Sequence, residues 1–414
     1  MEVVEDIVII GAGIAGLTTS LGLHKLGIRS LVLESSDGLR IEGYALTLWT
    51  NAWKALDAVG IADSLRHQHE LLHGNVSTST VSGLQTSDIS FKVKGKHGVH
   101  EVRRVKRNML VEAIANELPS GTIRYSSKVV SIEESGFYKL VHLADGTTFK
   151  TKVLIGCDGV NSVVAKWLGL KKPTSTGRFA IRGCVDFNYN HGFAPKSMQF
   201  FGNGVRFGFV PCDDNTLYWF FTWNPSTQEK QTEDGPAKMK QLVLSKLGKM
   251  ADPIRAVIEN TEMHSFVPYP IRYRHPWELI WGNTSKGNVC VAGDALHPMT
   301  PDIGQGGCAA LEDGVVLARC LAEALSEKTS GKTEEKAERS EKDEYRRIEM
   351  GLKKYAKERK WRSIELITTA YIVGFIQQSD GKVLTFLRDK LLAVFLAGLL
   401  LKKSSFDCGN LTIS

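Results

Sequence analysis

"DIVIIGAGIAGLTTSLGLHKLGIRSLVLESS", residues 6–36, runs from an apolar strand through a glycine turn into a helix of small residues, then to a second apolar strand that stops at Glu34. Apolar runs of this kind suit parallel strands covered on both faces, so the stretch reads as one βαβ unit. Gly11, Gly13 and Gly16 form G-x-G-x-x-G at the strand-to-helix turn, with Ala15 between them. The first glycine permits the tight turn, the second lets backbone amides approach a pyrophosphate, and the third lets helix pack on strand. The start of that helix offers unpaired N–H groups and a partial positive charge to phosphates. Glu34 is placed to accept hydrogen bonds from a ribose diol. An acid there favours FAD or NAD over NADP.

The chain has 414 residues, room for two or three domains at roughly 150 residues each. Its 43% hydrophobic and 23% charged content is ordinary for a globular protein, and the net charge of +7 is spread along the chain among acids. That balance favours anionic small ligands mildly, and no nucleic-acid motif accompanies it. The seven cysteines (157, 184, 212, 290, 308, 320, 408) form no C-x-x-C and no zinc spacing, so a metal site and a disulfide reductase are not expected. A strand that begins almost at the first residue leaves no room for a signal or transit peptide, and a cytoplasmic location is the expectation. No apolar run reaches the length of an ordinary membrane span. The nearest, LLAVFLAGLLL at 391–401, reads as a docked C-terminal helix, with membrane-surface or partner contact as the alternative.

Beyond the first unit, rough 3–4 spacing of Ala52, Leu56, Val59 and Ile61 predicts a helix around 51–70, and RNMLVEAIANEL predicts another over 107–118. Short strands and a turn lead to KVLIGCDGV. From 178 to 223 the chain becomes β-prone and aromatic, with Gly, Asn and Asp turns, which predicts an antiparallel sheet in a second domain. Residues 326–345 are charged and nearly free of apolar side chains, and read as a mobile surface loop before a helix of roughly 346–366. The fold class is therefore α/β: a discontinuous Rossmann-like dinucleotide-binding domain (1–75, 100–172 and 281–325), a second β-sheet substrate domain (76–99 and 173–280), and a charged loop with a C-terminal helical region (326–414).

Two further glycine motifs lie far downstream. GCDGVNS occupies 156–162. At 293–307, GDALHPMTPDIGQGG ends the short strand NVCVA in an acid, kinks at Pro298 and Pro301, and closes on GQGG before a helix. Taken with GAGIAG and Glu34, the three motifs resemble, in order and spacing over roughly residues 5–325, the FAD-dependent aromatic hydroxylases. These are the para-hydroxybenzoate hydroxylase-like class A flavoprotein monooxygenases, and plant salicylate hydroxylase-like and zeaxanthin epoxidase-related enzymes are the most similar. The resemblance implies FAD as the bound dinucleotide, with Asp294 on its ribityl or pyrophosphate region. It implies Pro301, Gly304, Gln305, Gly306 and Gly307 along the isoalloxazine, where helix-terminal N–H groups would stabilise charge near N1. It also implies Arg107 as an FAD contact and Gly43 to Leu46 against the ring. Asp158 and Gly159 are implied to touch FAD and an incoming NADH or NADPH, although Ala165 stands where the family often has an arginine. His297 and Pro298 are flavin-adjacent candidates, and no catalytic residue is assigned.

The family's reaction, transfer of one O2 atom through a flavin C4a-(hydro)peroxide after reduction by NAD(P)H, needs a dry and oriented pocket. In LYWFFTW, alternate side chains face opposite sides of a strand. Tyr218 and Phe220, with Met198 and Phe209, are the candidates for a substrate wall, and Arg182 and Arg206 are candidates to pair with a substrate carboxylate. The leading expectation is hydroxylation of a small aromatic or conjugated molecule. The alternatives are an epoxidase or reductase of a bulky isoprenoid, and a non-enzymatic flavin-binding sensor or interaction protein that uses the 326–345 segment as its surface.

Overall fold

The computed structural model describes residues 2–40, 44–96, 98–202, 204–226, 235–247, 252–326, 334–378 and 393–412. The strand Glu2–Ile10 lies inside an eight-stranded sheet. It pairs in parallel with Leu31–Leu33 on one side and with Thr148–Gly156 on the other, and Thr148–Gly156 pairs in parallel with Val289–Val291. The three motif-bearing segments thus meet in one sheet, although more than a hundred residues separate each from the next. Strands Val129–Ser135 and Tyr138–Leu143 extend the edge as an antiparallel hairpin.

The helix Ile14–Lys25 is buried from Ile14 to Leu23, as expected of a helix apolar or small all round. Its cover is the helix Gly306–Ser326, and small residues decide how closely the two approach. A Cβ at Gly314 would lie 2.6 Å from Thr18 Cβ, and one at Gly22 would lie 2.7 Å from Ala318 Cβ. Gly11 takes φ +101, and a Cβ there would lie 2.5 Å from the Cys157 carbonyl oxygen, so the turn of the first motif is seated on the second.

A separate, seven-stranded sheet holds the aromatic strands. Thr174–Asp186, Thr216–Trp223, Val205–Pro211 and Lys196–Gly202 form consecutive antiparallel pairs. The expectation of a wholly antiparallel sheet is corrected at one place, because Lys196–Gly202 pairs in parallel with Gly74–Ser79, a strand from the far side of the chain. One face packs its aromatic row (Phe207, Phe209, Trp219, Phe221) on the helices Pro236–Leu247 and Asp252–Glu259.

Two expectations for the periphery change. The helix expected at 51–70 is two, Thr50–Val59 and Ala62–Arg66, because Gly60 adopts the left-handed conformation (φ 78) between them. The expected loop at 326–345 is largely helix: Glu334–Gln378 runs unbroken, while 327–333 lie outside the described residues. Glu, Lys, Ala and Arg are strong helix formers, so a polar composition there marked a helix rather than a loop. Lys152 reaches Glu344 at 3.2 Å and ties that stretch to the first sheet. The C-terminal helix Ala393–Lys403 docks on its own chain: Leu400 and Leu401 pack on the core, and the Lys403 carbonyl accepts from Arg362 at 2.8 Å. Residues 391–392 of the apolar run lie outside the described residues. Among the described residues no helix is long and apolar enough to cross a membrane.

The approach of Gly314 to Thr18 is directly testable. Gly314→Val would force apart the two helices that frame the first motif. It should destabilise the protein by roughly 1–3 kcal/mol and lower FAD retention, read from thermal unfolding and the flavin absorbance that survives gel filtration.

Candidate active site

Two cavities meet between the sheets. The first, about 660 Å³, runs from the first motif to the third. Gly11, Gly13 and Ala15 line one wall, Glu34 closes one end, Asp158 and Gly159 form a flank, and Asp294, Gly306, Gly307 and Arg107 line the rest. A Cβ at Gly13 would meet nothing within 4 Å, so that backbone is open to the cavity rather than to packing. Two helices, Ile14–Lys25 and Gly306–Ser326, begin at its wall, and their first N–H groups are suited to an elongated, phosphate-bearing ligand. Gly16 lies behind this wall, against the Gly11 carbonyl, in the packing role assigned to the third glycine.

The Glu34 carboxylate accepts hydrogen bonds from Ala12 N (2.8 Å) and Ser36 N (2.9 Å). Burial alone would raise its pKa, but those bonds outweigh burial and hold it below the ordinary value. Asp158 accepts from Ser162 Oγ (2.5 Å) and Val163 N (2.6 Å), which makes it the anchor of the next helix, and burial nevertheless pushes its carboxyl up. Arg107 bonds the Arg40 carbonyl across the mouth. Asp294 opens toward the cavity while protein encloses its other sides. Burial raises its carboxyl, and His297 and Arg107 pull in the opposite direction. Tyr44 and Leu46 follow Gly43, which lies outside the described residues. Leu46 lines both cavities.

The second cavity, about 310 Å³, lies between the seven-stranded sheet and the loop Thr300–Gly304. Leu46, Arg182, Asp294, Gly306 and Gly307 belong to both cavities and form the junction. Tyr218, Phe220 and Thr222 face this space from one strand. Arg206 comes from the next, opposite Thr222, and Ala180 and Arg182 from the other neighbour. Met198 and Phe209 do not. They are register partners of each other, Phe209 pairs with Trp219, and that row points into the core on the other side of the sheet. Side-chain alternation places them one residue out of phase with the cavity face.

Arg206 is also corrected as a partner for substrate. Its guanidinium meets Asp302 at 2.8 Å, Arg178 meets the same carboxylate at 2.6 Å, and together they outweigh burial and hold the Asp302 carboxyl below its ordinary value. Arg104 lies 3.6 Å over the Tyr218 ring and donates to Thr47 Oγ1 and the Ala45 carbonyl. Arg182 sits over the Tyr269 ring at 4.9 Å, with no ion-pair partner among the described residues. Burial pushes the Tyr269 phenol up to about 12. Behind the lining, Trp49 Nε1, Arg104 Nε, Arg206 Nε and Thr222 Oγ1 are enclosed by protein and closed off from the cavity.

His297 and Pro298, expected beside the flavin, line neither cavity. His297 is fully buried behind the loop and bonds Asp313 Oδ2 through Nε2 at 2.6 Å, and the Pro298 carbonyl accepts from Arg274 N at 2.9 Å. Gln305 likewise turns its side chain away, to Asn51 at 2.8 Å, and only its glycine neighbours face the cavities. Burial lowers the His297 pKa, but the Asp313 carboxylate outweighs it and the net direction is upward. The same Asp313 oxygen accepts the Gly293 amide at 2.7 Å, and its other oxygen takes Arg359 Nε at 2.6 Å. Glu312, one residue earlier, is held by Arg359 (2.7 Å) and Arg362 (2.8 Å) and accepts Asn51 Nδ2 (2.5 Å), which also bonds Gln305. All of these side chains are buried. Two adjacent acids in an apolar helix were a readable signal of buried charge, but nothing in sequence named Arg359 or Arg362 as their partners. Trp49, Phe91, Arg104 and Tyr269 carried no sequence signal for the second cavity.

The FAD binding domain family matches residues 5–349. Monooxygenase 2 of Arabidopsis thaliana is 55% identical over 406 residues, covering 98% of each chain. Monooxygenase 1 of the same plant is 35% identical over 411 residues, covering 98% of this chain and 99% of its own. Among solved structures, Klebsiella pneumoniae HpxO complexed with FAD and uric acid superposes with a TM-score of 0.80 at 22% identity over 96% of both chains, a likeness of fold.

Removing one cation from the buried network leaves an uncompensated carboxylate. Arg359→Met should cost about 3–5 kcal/mol and release FAD, with Arg359→Lys between it and wild type, read by thermal unfolding and free-flavin fluorescence. Asp313 supplies a pH test: burial is outweighed by His297 and Arg359, and its carboxyl falls from 3.8 to about 2. A depressed carboxyl contributes stability that is complete above its unfolded value and lost as pH drops through the folded one. Asp313→Asn should therefore flatten the stability-versus-pH curve between 3.8 and about 2.

Proposed function

The chain belongs to the FAD binding domain family and is a flavin-dependent monooxygenase, and on that premise we propose that it uses NADH or NADPH and O2 to hydroxylate a small, flat aromatic or conjugated molecule bearing acceptor oxygens. The observation that carries this reading is the junction of the two cavities. The wall between a dinucleotide-shaped space and an aromatic-lined one consists of Leu46, Arg182, Asp294, Gly306 and Gly307.

Gly11, Gly13, Glu34, Arg107, Asp158, Asp294 and the Gly306–Gly307 helix start would hold FAD, whose chemistry when bound is to accept hydride and activate O2. The work of the chain's own residues is binding, orientation and exclusion of water. Tyr218, Phe220 and Phe91 offer ring faces and edges that orient a flat substrate. The Arg182 guanidinium at the junction favours an acceptor oxygen on that substrate, a pattern that suits a molecule such as the uric acid bound by HpxO. Tyr269, kept protonated up to about pH 12, acts as a donor rather than a base. Among the described residues no histidine lines the cavity. A volume of about 310 Å³ stands at the low end of the roughly 300–1,000 Å³ usual for small-molecule pockets, which supports a one- or two-ring substrate over a bulky isoprenoid.

The test is oxidation of NADH and NADPH by the purified yellow protein against a panel of phenols, phenolic acids, purines and quinolones, with product mass and peroxide read together. A compound that speeds oxidation and gains one oxygen atom supports the reading. Acceleration only by long isoprenoids would overturn it. With the substrate in hand, Phe220→Ala should lower kcat/KM about tenfold and raise peroxide per NAD(P)H consumed, because a loosened cavity admits water.

A further inference from the structure

Tryptophan is seldom exposed, yet three of this chain's eight tryptophans stand out from one side of the molecule. On the short helix Pro276–Trp281, Trp277, Ile280 and Trp281 are 50%, 38% and 78% exposed. Their i, i+3, i+4 spacing puts them on one face, and that face points outward. The neighbouring helix Glu334–Gln378 buries its inner stripe, including Leu366, Ala370 and Val373, against Ile303 of the cavity loop. Its outer stripe carries Trp361, Ile372 and Phe375, 66%, 48% and 59% exposed and again in helical register. The two elements are joined at the surface. Lys360 Nζ bonds the Ile280 carbonyl at 2.7 Å, and a chain of ring contacts links the two: Trp277 stacks on His275 (4.2 Å), His275 meets Tyr273 edge-on (4.8 Å), and Tyr273 stacks on Tyr371 (4.7 Å). The result is a continuous apolar and aromatic surface of a kind that marks an interaction site.

Its rim is basic. Lys171 and Lys172 are exposed where the Lys171 carbonyl and Glu278 share Arg274, and Lys357 is exposed one turn before Trp361. Among the described residues, Glu278 pairs with Arg274, Glu358 with Arg319 at 2.9 Å, and Glu365 with Lys403. Exposed tryptophans framed by lysines match the boundary of an anionic bilayer, where indole rings sit at headgroup level and amines meet lipid phosphates. A second copy of the chain fits less well, since an isologous contact would set the same basic rims against each other.

We propose that the surface formed by Trp277, Ile280, Trp281 and the outer stripe of Glu334–Gln378 docks the enzyme on an anionic phospholipid surface. The chain is then peripheral, held by side chains at the interface and not by a spanning helix. None of these side chains lines either cavity, so docking and flavin binding are separable.

The experiment is flotation of the full-length holoenzyme with vesicles of phosphatidylcholine plus phosphatidylglycerol, against vesicles of phosphatidylcholine alone, with tryptophan emission recorded in parallel. The expected result is co-flotation with the anionic vesicles, a blue shift of emission, and release at high salt. Lys171→Glu with Lys172→Glu should lower the partition coefficient by roughly tenfold or more, and Trp277→Ala with Trp281→Ala should diminish both flotation and the blue shift, while both variants keep their FAD. Absence of flotation by the unaltered holoenzyme overturns the proposal, and so does flotation that neither pair diminishes. A dimer that the tryptophan pair dissociates, with no vesicle binding, assigns the surface to a second copy and overturns it equally.

Discussion

Glu312 and Asp313 are neighbours in an apolar helix with no access to water, and two adjacent carboxylates can stay charged there only if cations come to them. Arg359 and Arg362 do, from a helix 46 to 50 residues further along the chain. The consequence reaches the active site because each acid has a free hand on the cavity loop. Asp313 holds Gly293 and His297 at the loop's beginning, and Glu312 reaches Gln305 at its end through Asn51. The stretch between, with Asp294, Pro301 and Gly304 turned to the cavities, is an arch pinned at both feet. The family match ends at residue 349, so the arginines that pin it lie outside the matched segment.

A second clamp works from the substrate side. Arg178 and Arg206 project from the seven-stranded sheet to one carboxylate, Asp302, in the middle of the same arch. Gln199 and Asn75 continue the hydrogen bonding from Arg206 across two more strands. The loop that separates the two cavities is therefore held from both sides, by the paired helices and by the seven-stranded sheet, and their relative placement fixes the width of the second cavity. Buried ion pairs add little net stability over apolar packing, but they demand one geometry, and a site that must align a substrate with a ring benefits from that demand.

How legible this was varies with how local the information is. GAGIAG with Glu34, DG at 158–159 and GD at 293–294 carry their own backbone requirements, such as φ +101 at Gly11 and φ +61 at Gly293, and those requirements are written in the residues themselves. The substrate wall is different. Alternation along LYWFFTW split Tyr218 and Phe220 from Trp219 and Phe221, but the partner strand's phase was set by pairing, and Phe209 fell in register with Trp219 rather than with Tyr218. His297 showed the same limit, because a histidine within a flavin motif has two directions to point and Asp313 drew it inward.

By itself the sequence determined the first βαβ unit, the discontinuous assembly of its sheet, and the glycines whose backbone shapes the first cavity, because glycine geometry and apolar periodicity act over a few residues. Only the tertiary structure decided which face of the second sheet is the cavity, which arginines are already committed to Asp302, Glu312 and Asp313, and that a charged stretch at 334–345 is helix. Those outcomes depend on register and on the partners of buried charge, and both are fixed by contacts between segments far apart in the chain.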